Sequence, residues 1–504
     1  MVPVLEKRGL IGYLLLFFAF YYLVVLLVCF GVRLPYPYEL EWMEGGSLDH
    51  CLRAIESKPL YLEPNREFVP FIYPPFYYFA GALLMKLFGV SPVVLRGISV
   101  VSLLGASVIL FLILLRETKD RFVSCLSVGL FWASYEITGY WFDLARVDSL
   151  FIFQVLLACY LLLYCRGSWT TLLAGLIFFT AFLTKQATLM FYPFLLYGAS
   201  KKGKGHFYAF LLSTLLLCTT FTFLYNRYTD GWFWFYAFKL PSQHQIVGRV
   251  FVRYLTKDLL GNFPYILSVV ALGIFVGVHS KGREYLRTIL RSRWFLIFLG
   301  GFLTSYLGRL KSGGWDNNLI YVSATVPLFF GVVLRELISD KTSALPLGKL
   351  ALILTLCQFA SLLYNPQYAL PTSRDYRAGQ ILVERIRGIP GEVYVPFHTH
   401  YARIAKGSMQ VHAGALKDLA GVYSGGWQVD RLPPDLVEAI RKKKYSAIFL
   451  DEEVESGDAD SFVRFIGKYY CRDRPVFRSG EPTLRFFTGG KGSPKFVYLP
   501  KGEY

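Results

Sequence analysis

The sequence predicts an α-helical polytopic membrane protein of about eleven transmembrane helices with a C-terminal extracytoplasmic α/β domain, and three observations carry that prediction. The 504 residues are 54% hydrophobic and 17% aromatic, with a mean hydropathy of +0.41, which is more apolar surface than a soluble core of this length buries. Apolar runs recur that approach the ~20 residues a spanning helix needs. After Tyr364 the runs stop, and a helix-strand alternation of ordinary composition follows. The net charge of +18 would suggest nucleic acid in a soluble chain. Here the basic residues sit in short loops between apolar runs, which is a topological bias and excludes a nucleic-acid partner.

The first run, 10–30, is too long for a signal peptide and lacks a small-residue cleavage site, so it reads as a retained span. The first external loop, 31–91, follows. Within it the run 76–90 is short, contains Lys86 and lies between Pro74-Pro75 and Gly89, so it reads as an interfacial or re-entrant helix. Further runs at 92–115, 122–141, 148–165, 169–185, 187–200, 207–225, 261–279, 294–310, 319–338 and 347–364 are read as crossing. With a cytoplasmic N-terminus, Lys7-Arg8, the Arg116 to Arg121 stretch, Lys201 to Lys204, the Arg283 to Arg293 cluster and the Arg335 to Lys349 loop all face the cytoplasm. The acidic loop and residues 365–504 then lie outside, so the chain divides into a transmembrane domain over 1–364 and a soluble α/β domain over 365–504. The latter reads as a helix near 374–388, a strand near 392–396, a helix near 434–443 and a strand near 445–451.

The cysteines lack CxxC spacing and support neither a zinc site nor a disulfide framework. HTHY at 398–401, with His412 and Asp418, raises a metal hypothesis, but a tetrahedral site wants more ligands at defined spacing. No cofactor is required by the sequence, and a divalent cation stays open.

Polar residues gather at the outer ends of the spans. The first loop reads ELEWMEGGSLDH, with Glu39, Glu41, Glu44 and Asp49 directly after a span, and carboxylates at a membrane surface are costly to desolvate and candidates for chemistry. Facing them are WFDLARVDSLF, with Asp143, Arg146 and Asp148; TKQ, with Lys185 and Gln186; and GRLKSGGWDNN, with Arg309, Lys311, Trp315, Asp316, Asn317 and Asn318. Arg and Lys there can hold a phosphate, while Trp, Asp and Asn suit a sugar face and its hydroxyls. Tyr73 and Pro74-Pro75 shape the cavity mouth. The bland readings are a helix-end pair for Arg146 and Asp148, snorkelling for Lys185, and a turn with an interfacial anchor for Gly313-Gly314-Trp315.

WMEGGSLDHCLRAIESKPLY followed by IYPPFYYFAGALLMKLFG resembles the first external loop of GT-C glycosyltransferases, in particular the group of protein O-mannosyltransferases and lipid A aminoarabinose transferases. The resemblance continues through ARVDSLF, FLTKQATL and GGWDNN, covering most of 10–340, and rests on the order and spacing of the motifs. It implies a polyprenyl-phosphate sugar donor and transfer on the extracytoplasmic face to a glycolipid, polysaccharide or protein acceptor, in the plasma (inner) membrane. The family acid maps best onto Glu44, whereas the Asp that often precedes it is Met43 here, which leaves Glu41 as a substitute.

The chemistry fits these residue types. A leaving lipid phosphate needs cations, which Arg146, Lys185 and Arg309 or Lys311 can supply. An acceptor hydroxyl needs a base, expected to be Glu44. A single well-placed acid implies direct displacement with inversion; Glu41 with Glu44 keeps double displacement open. A transporter or flippase of lipid-linked sugars is the alternative. It should carry ionisable residues near span centres, and here they gather at the ends.

Overall fold

The computed structural model describes residues 9–339, 347–456, 459–489 and 492–502. Lys7-Arg8 and much of the Arg335 to Lys349 loop, which entered the topology reading, lie outside the described residues.

Every apolar run coincides with helix, but the helices differ in reach. Gly9–Arg33, Pro92–Thr118, Lys204–Tyr228, Pro264–Lys281 and the stretch Asp316–Ser339 are long and apolar enough to cross a membrane. Arg121–Ala133, Asp148–Tyr164 and Ser168–Phe182 are shorter apolar helices, so the runs at 122–141 and 169–185 end earlier as helix than the sequence suggests. The run at 187–200 is a 3₁₀ turn, Gln186–Met190, followed by the helix Tyr192–Lys202. Phe76–Phe88 has 13 residues, a rise of about 20 Å, which falls short of a bilayer core of about 30 Å. Pro75 caps its start, where a missing N–H costs nothing.

Burial separates central from peripheral helices. The window within Asp316–Ser339 is 100% buried, whereas that of Lys204–Tyr228 is 11% buried; the first helix runs through the middle of the bundle and the second shows most of its apolar surface outward. Pro327 inside Leu319–Ser339 is tolerated because neighbouring helices enclose it.

Four strands, β1 (Val393–Tyr394), β2 (Ala447–Leu450), β3 (Tyr470–Pro475) and β4 (Phe496–Pro500), form one sheet in the order β1-β2-β4-β3. β1 pairs parallel to β2, and β4 pairs antiparallel to β2 and β3. The helices Ser373–Gly388 and Pro434–Arg441 and the first two strands fall where the alternation placed them. The antiparallel pair has no clear sequence signal, since β3 reads YCRDRP and is exposed over most of its length.

This C-terminal unit is seated on the first loop, 31–91. Arg403 pairs with Asp49 at 2.7 Å, Thr399 donates to Asp49, His412 donates through Nε2 to the Trp42 carbonyl, and the rings of Tyr38 and Tyr401 stack. The double glycine of WMEGGS makes the approach possible. A Cβ on Gly45 would lie 2.4 Å from Glu39 Oε1 and 2.8 Å from His400 Cβ, and one on Gly46 would lie 2.3 Å from the Phe71 ring.

Candidate functional site

The four acids Glu39, Glu41, Glu44 and Asp49 have separate fates, fixed by which basic group each meets. Glu44, at the start of the helix Glu44–Ile55, is held by Arg96 from the next long helix, Nε to Oε1 at 3.0 Å and Nη2 to Oε2 at 2.6 Å. Its oxygens also accept from the backbone N–H of Ala145 and of Leu40, at 2.8 and 2.7 Å. Burial alone would raise the carboxyl; the Arg96 guanidinium and the two N–H donors overcome it and hold the pKa below the usual value. Arg96 spends its other N–H groups on the carbonyls of Tyr36 and Tyr38. The pair is a fork-to-fork clamp that fixes the loop to the bundle.

That geometry corrects the expectation that Glu44 is the general base. Its lone pairs are committed, its acidity is increased, and it does not line the cavity described below.

Glu41 stands opposite in every respect. It lines a cavity of about 730 Å³. Arg146 lies 3.6 Å from its Oε2, beyond hydrogen-bond distance, and Met43 N donates to the same oxygen at 3.2 Å. Oε1 of Glu41 and Nη1 of Arg146 are both buried and have no hydrogen-bond partner among the described residues. Burial raises the Glu41 carboxyl to about 7, against the pull of Arg146. Gly489, with φ of +92°, packs so closely that a Cβ there would meet Glu41 Oε1 at 2.9 Å, and Thr488 bridges to Glu41 by backbone pairing.

Two cations flank one aromatic ring inside this cavity. The Arg146 guanidinium lies 5.7 Å and Lys185 Nζ 5.9 Å from the Tyr73 ring centroid. Lys185 is also bonded to Asp148 at 2.6 Å and to the Tyr321 hydroxyl at 2.7 Å. Asp148 accepts further from Trp141 Nε1, Asn317 and Tyr321, so it sits behind the lysine and orients it. A snorkelling lysine would reach for water; this one is buried and bonded at its head.

The remaining expected residues divide between two cavities. Tyr73, Gln186, Lys311, Trp315, Asn317 and Asn318 line the main one. The Gln186 amide donates to the carbonyls of Ile72 and Ala237, which ties the first loop to a π-helical turn, Phe235–Lys239. Arg309 and Asp316 are 3.2 Å apart and line a neighbouring pocket with Lys311 and Trp315; Arg309 also pairs with Asp258 at 2.9 Å.

The C-terminal unit supplies a wall of which the sequence reading had singled out only Asp418, as a candidate metal ligand. Gly414, Lys417, Asp418 and Tyr423 line the main cavity, as does His244, whose Nε2 is 3.0 Å from Asp418 Oδ1. The other histidines serve structure. His398 lies between Glu39 and Asp451 at 2.9 and 3.1 Å, and His400 and His412 contact backbone carbonyls, with burial lowering each of the last two to about 3. The described residues hold no cluster of three or more His, Cys, Asp or Glu suited to a metal ion.

No family model matches the sequence, and no curated protein matches it either. Solved structures do match. ArnT from Cupriavidus metallidurans in the apo state aligns with a TM-score of 0.58 at 12% identity, covering 96% of this chain and 98% of that one. The same protein bound to undecaprenyl phosphate aligns with a TM-score of 0.56 at 11% identity, covering 95% and 97%. The fold is therefore shared with ArnT over nearly the whole of both chains, and the resemblance drawn from the loop motifs holds at the level of the fold.

Proposed function

We propose that this protein is a membrane glycosyltransferase that moves a sugar from a polyprenyl-phosphate carrier to an extracytoplasmic acceptor, with Glu41 as the general base. The observation that carries the reading is the pair of buried, unpartnered atoms in the main cavity, Glu41 Oε1 and Arg146 Nη1. A buried acceptor and a buried donor left without partners each cost free energy unless a ligand completes them. An acceptor hydroxyl would satisfy the first and a phosphate oxygen the second. That one of the fold neighbours is bound to undecaprenyl phosphate supports the lipid class of the donor.

In this reading the acceptor O–H gives its proton to Glu41 as its oxygen bonds to the anomeric carbon. The bond from that carbon to the phosphate oxygen breaks, and the electron pair leaves with the lipid phosphate, which Arg146 and Lys185 hold. Glu44 is clamped by Arg96, Asp148 by Lys185, and Asp418 in the cavity wall meets His244 at 3.0 Å, so Glu41 is the lining acid with a free oxygen, which favours inversion over double displacement. A carboxyl raised to about 7 is matched to taking a proton near neutral pH.

The topology belongs to the proposal: about eleven crossings, a cytoplasmic N-terminus, and the cavity and C-terminal unit on the outer face. Purified protein incubated with a panel of polyprenyl-phosphate monosaccharides, with consumption of the carrier-linked sugar as readout, tests it. Turnover of at least one donor supports the reading, and binding without consumption across the panel would point to a carrier instead.

A further inference from the structure

Beside the main cavity lies a second one of about 350 Å³, lined among others by Arg249, Arg253, Arg309, Lys311 and Asp316. Cations outnumber acids along its lining. Arg33, Arg96, Arg146 and Lys185 each meet an acid of their own, and Arg309 meets two, Asp258 and Asp316. Arg249 and Arg253 have no ion-pair or hydrogen-bond partner among the described residues, and Lys311 bonds only to the Pro241 carbonyl, at 3.0 Å. Arg253 shares the field of Asp316 with Arg309, so four cations converge on one walled pocket whose lining holds a single acid.

The segment that supplies the two arginines also carries exposed apolar side chains. Ile246, Phe251, Val252, Leu255 and Leu260, on the same segment as the two arginines, are exposed large hydrophobics. Arg249 and Arg253 are four residues apart on one face of the helix Arg249–Arg253, so the segment is amphipathic in the manner of an interfacial helix. Arginines that merely reach the headgroup layer need no cavity; these two share theirs with Lys311 and Arg309.

The wall between the two cavities is Lys311-Ser312-Gly313-Gly314-Trp315, which lines both. It is pinned to the amphipathic segment by Ser312 N donating to Gln245 O and Val247 N donating to Leu310 O, each at 2.8 Å. The second pocket is thus a separate compartment at the flank of the first.

We propose that this second pocket seats the phosphoester head group of an anionic membrane lipid, held by Arg249, Arg253 and Lys311. Guanidinium groups match phosphate oxygens in bidentate geometry, and the exposed apolar side chains of the same segment meet the acyl chains. The site is independent of the carrier phosphate assigned to Arg146 and Lys185, and it does not require the transfer reaction.

Native mass spectrometry of the full-length protein, released from detergent with phosphatidylglycerol or phosphatidylcholine added, tests the assignment. The expected result is retention of phosphatidylglycerol at least about tenfold above phosphatidylcholine, the scale of one charge-assisted contact. The preference should vanish in Arg249→Gln/Arg253→Gln, whose positions are exposed and whose folding is checked by thermal melting, and persist in Arg287→Gln, an exposed arginine elsewhere. Lys311→Gln supplies a second variant from a different element and should weaken the preference in the same direction. Equal retention of the two lipids, or an unchanged preference in the double variant, would overturn the proposal. Displacement of the lipid by inorganic phosphate at equal concentration would reassign the pocket to a soluble anion and overturn the lipid part. Because lipid retention is read without turnover, failure here leaves the proposed reaction standing, and the reverse.

Discussion

Glu41 and Glu44 are three residues apart, both buried and both facing an arginine, yet their hydrogen bonding is opposite in kind. Glu44 receives four hydrogen bonds, two of them from Arg96. Glu41 receives one from a backbone N–H, keeps Arg146 at 3.6 Å and leaves one oxygen unpartnered. The contrast separates structural charge from reactive charge more sharply than burial does. A saturated ion pair holds a loop in place, and an unsaturated one holds a proton affinity near neutrality.

The largest expected effect lies on the unsaturated side. Glu41→Gln should lower transfer by about 10²–10⁴, the usual contribution of a positioned base, with little change in donor binding, measured as turnover of a polyprenyl-phosphate sugar by a variant whose melting profile is normal. Near wild-type turnover would remove Glu41 from the chemistry. The wild-type rate should also rise with pH through about 7, because the base must be deprotonated and burial raises it to that value.

Glu44→Gln should act on the other half of the comparison. It leaves the buried Arg96 charge uncompensated, which costs about 3–5 kcal/mol when one member of a buried pair is removed. Melting temperature and yield should fall, while the turnover of the fraction that folds stays close to normal. A fully stable but inactive Glu44→Gln protein would erase the distinction drawn here. Lys185→Gln should give the next effect, weakening donor binding by about 10–100-fold, the worth of one charged hydrogen bond, read as a rise in KM larger than the fall in kcat.

Much of this arrangement was legible in the sequence, at the level of segments. Apolar runs marked the long helices of the bundle, and the acidic loop, ARVDS, TKQ and GGWDNN were read as one face; Glu41, Arg146, Lys185 and Asn317 line one cavity. Pairing was not legible. Nothing in WMEGG says that Glu44 will meet Arg96, 52 residues away, and spacing alone made it the better match to a family acid. Of the wall formed by Lys417, Asp418 and Tyr423 only Asp418 had been noticed, because the contact is set by how the C-terminal unit docks. The histidines near it were weighed as metal ligands, whereas His398 instead joins two acids across the docking surface.

That docking surface yields the smallest expected effect, and its sign follows from proton binding. Burial works against a charged His398, but Asp451 and Glu39 on its two ring nitrogens outweigh it and raise the pKa to about 10. Burial likewise raises Glu39 to about 7. Both groups bind protons more tightly in the folded state than in the unfolded chain, so folding stability falls as pH rises. The His398 contribution is complete below about 6.5, its unfolded value, and is lost as pH rises through about 10. Between pH 7.5 and 10 the melting temperature should therefore drop. His398→Gln should start lower and show a flatter profile over the same range. A wild-type profile as flat as that of the variant would mean that His398 is neutral between its two acids, and the clasp would then be a hydrogen-bonded contact with no charge to lose.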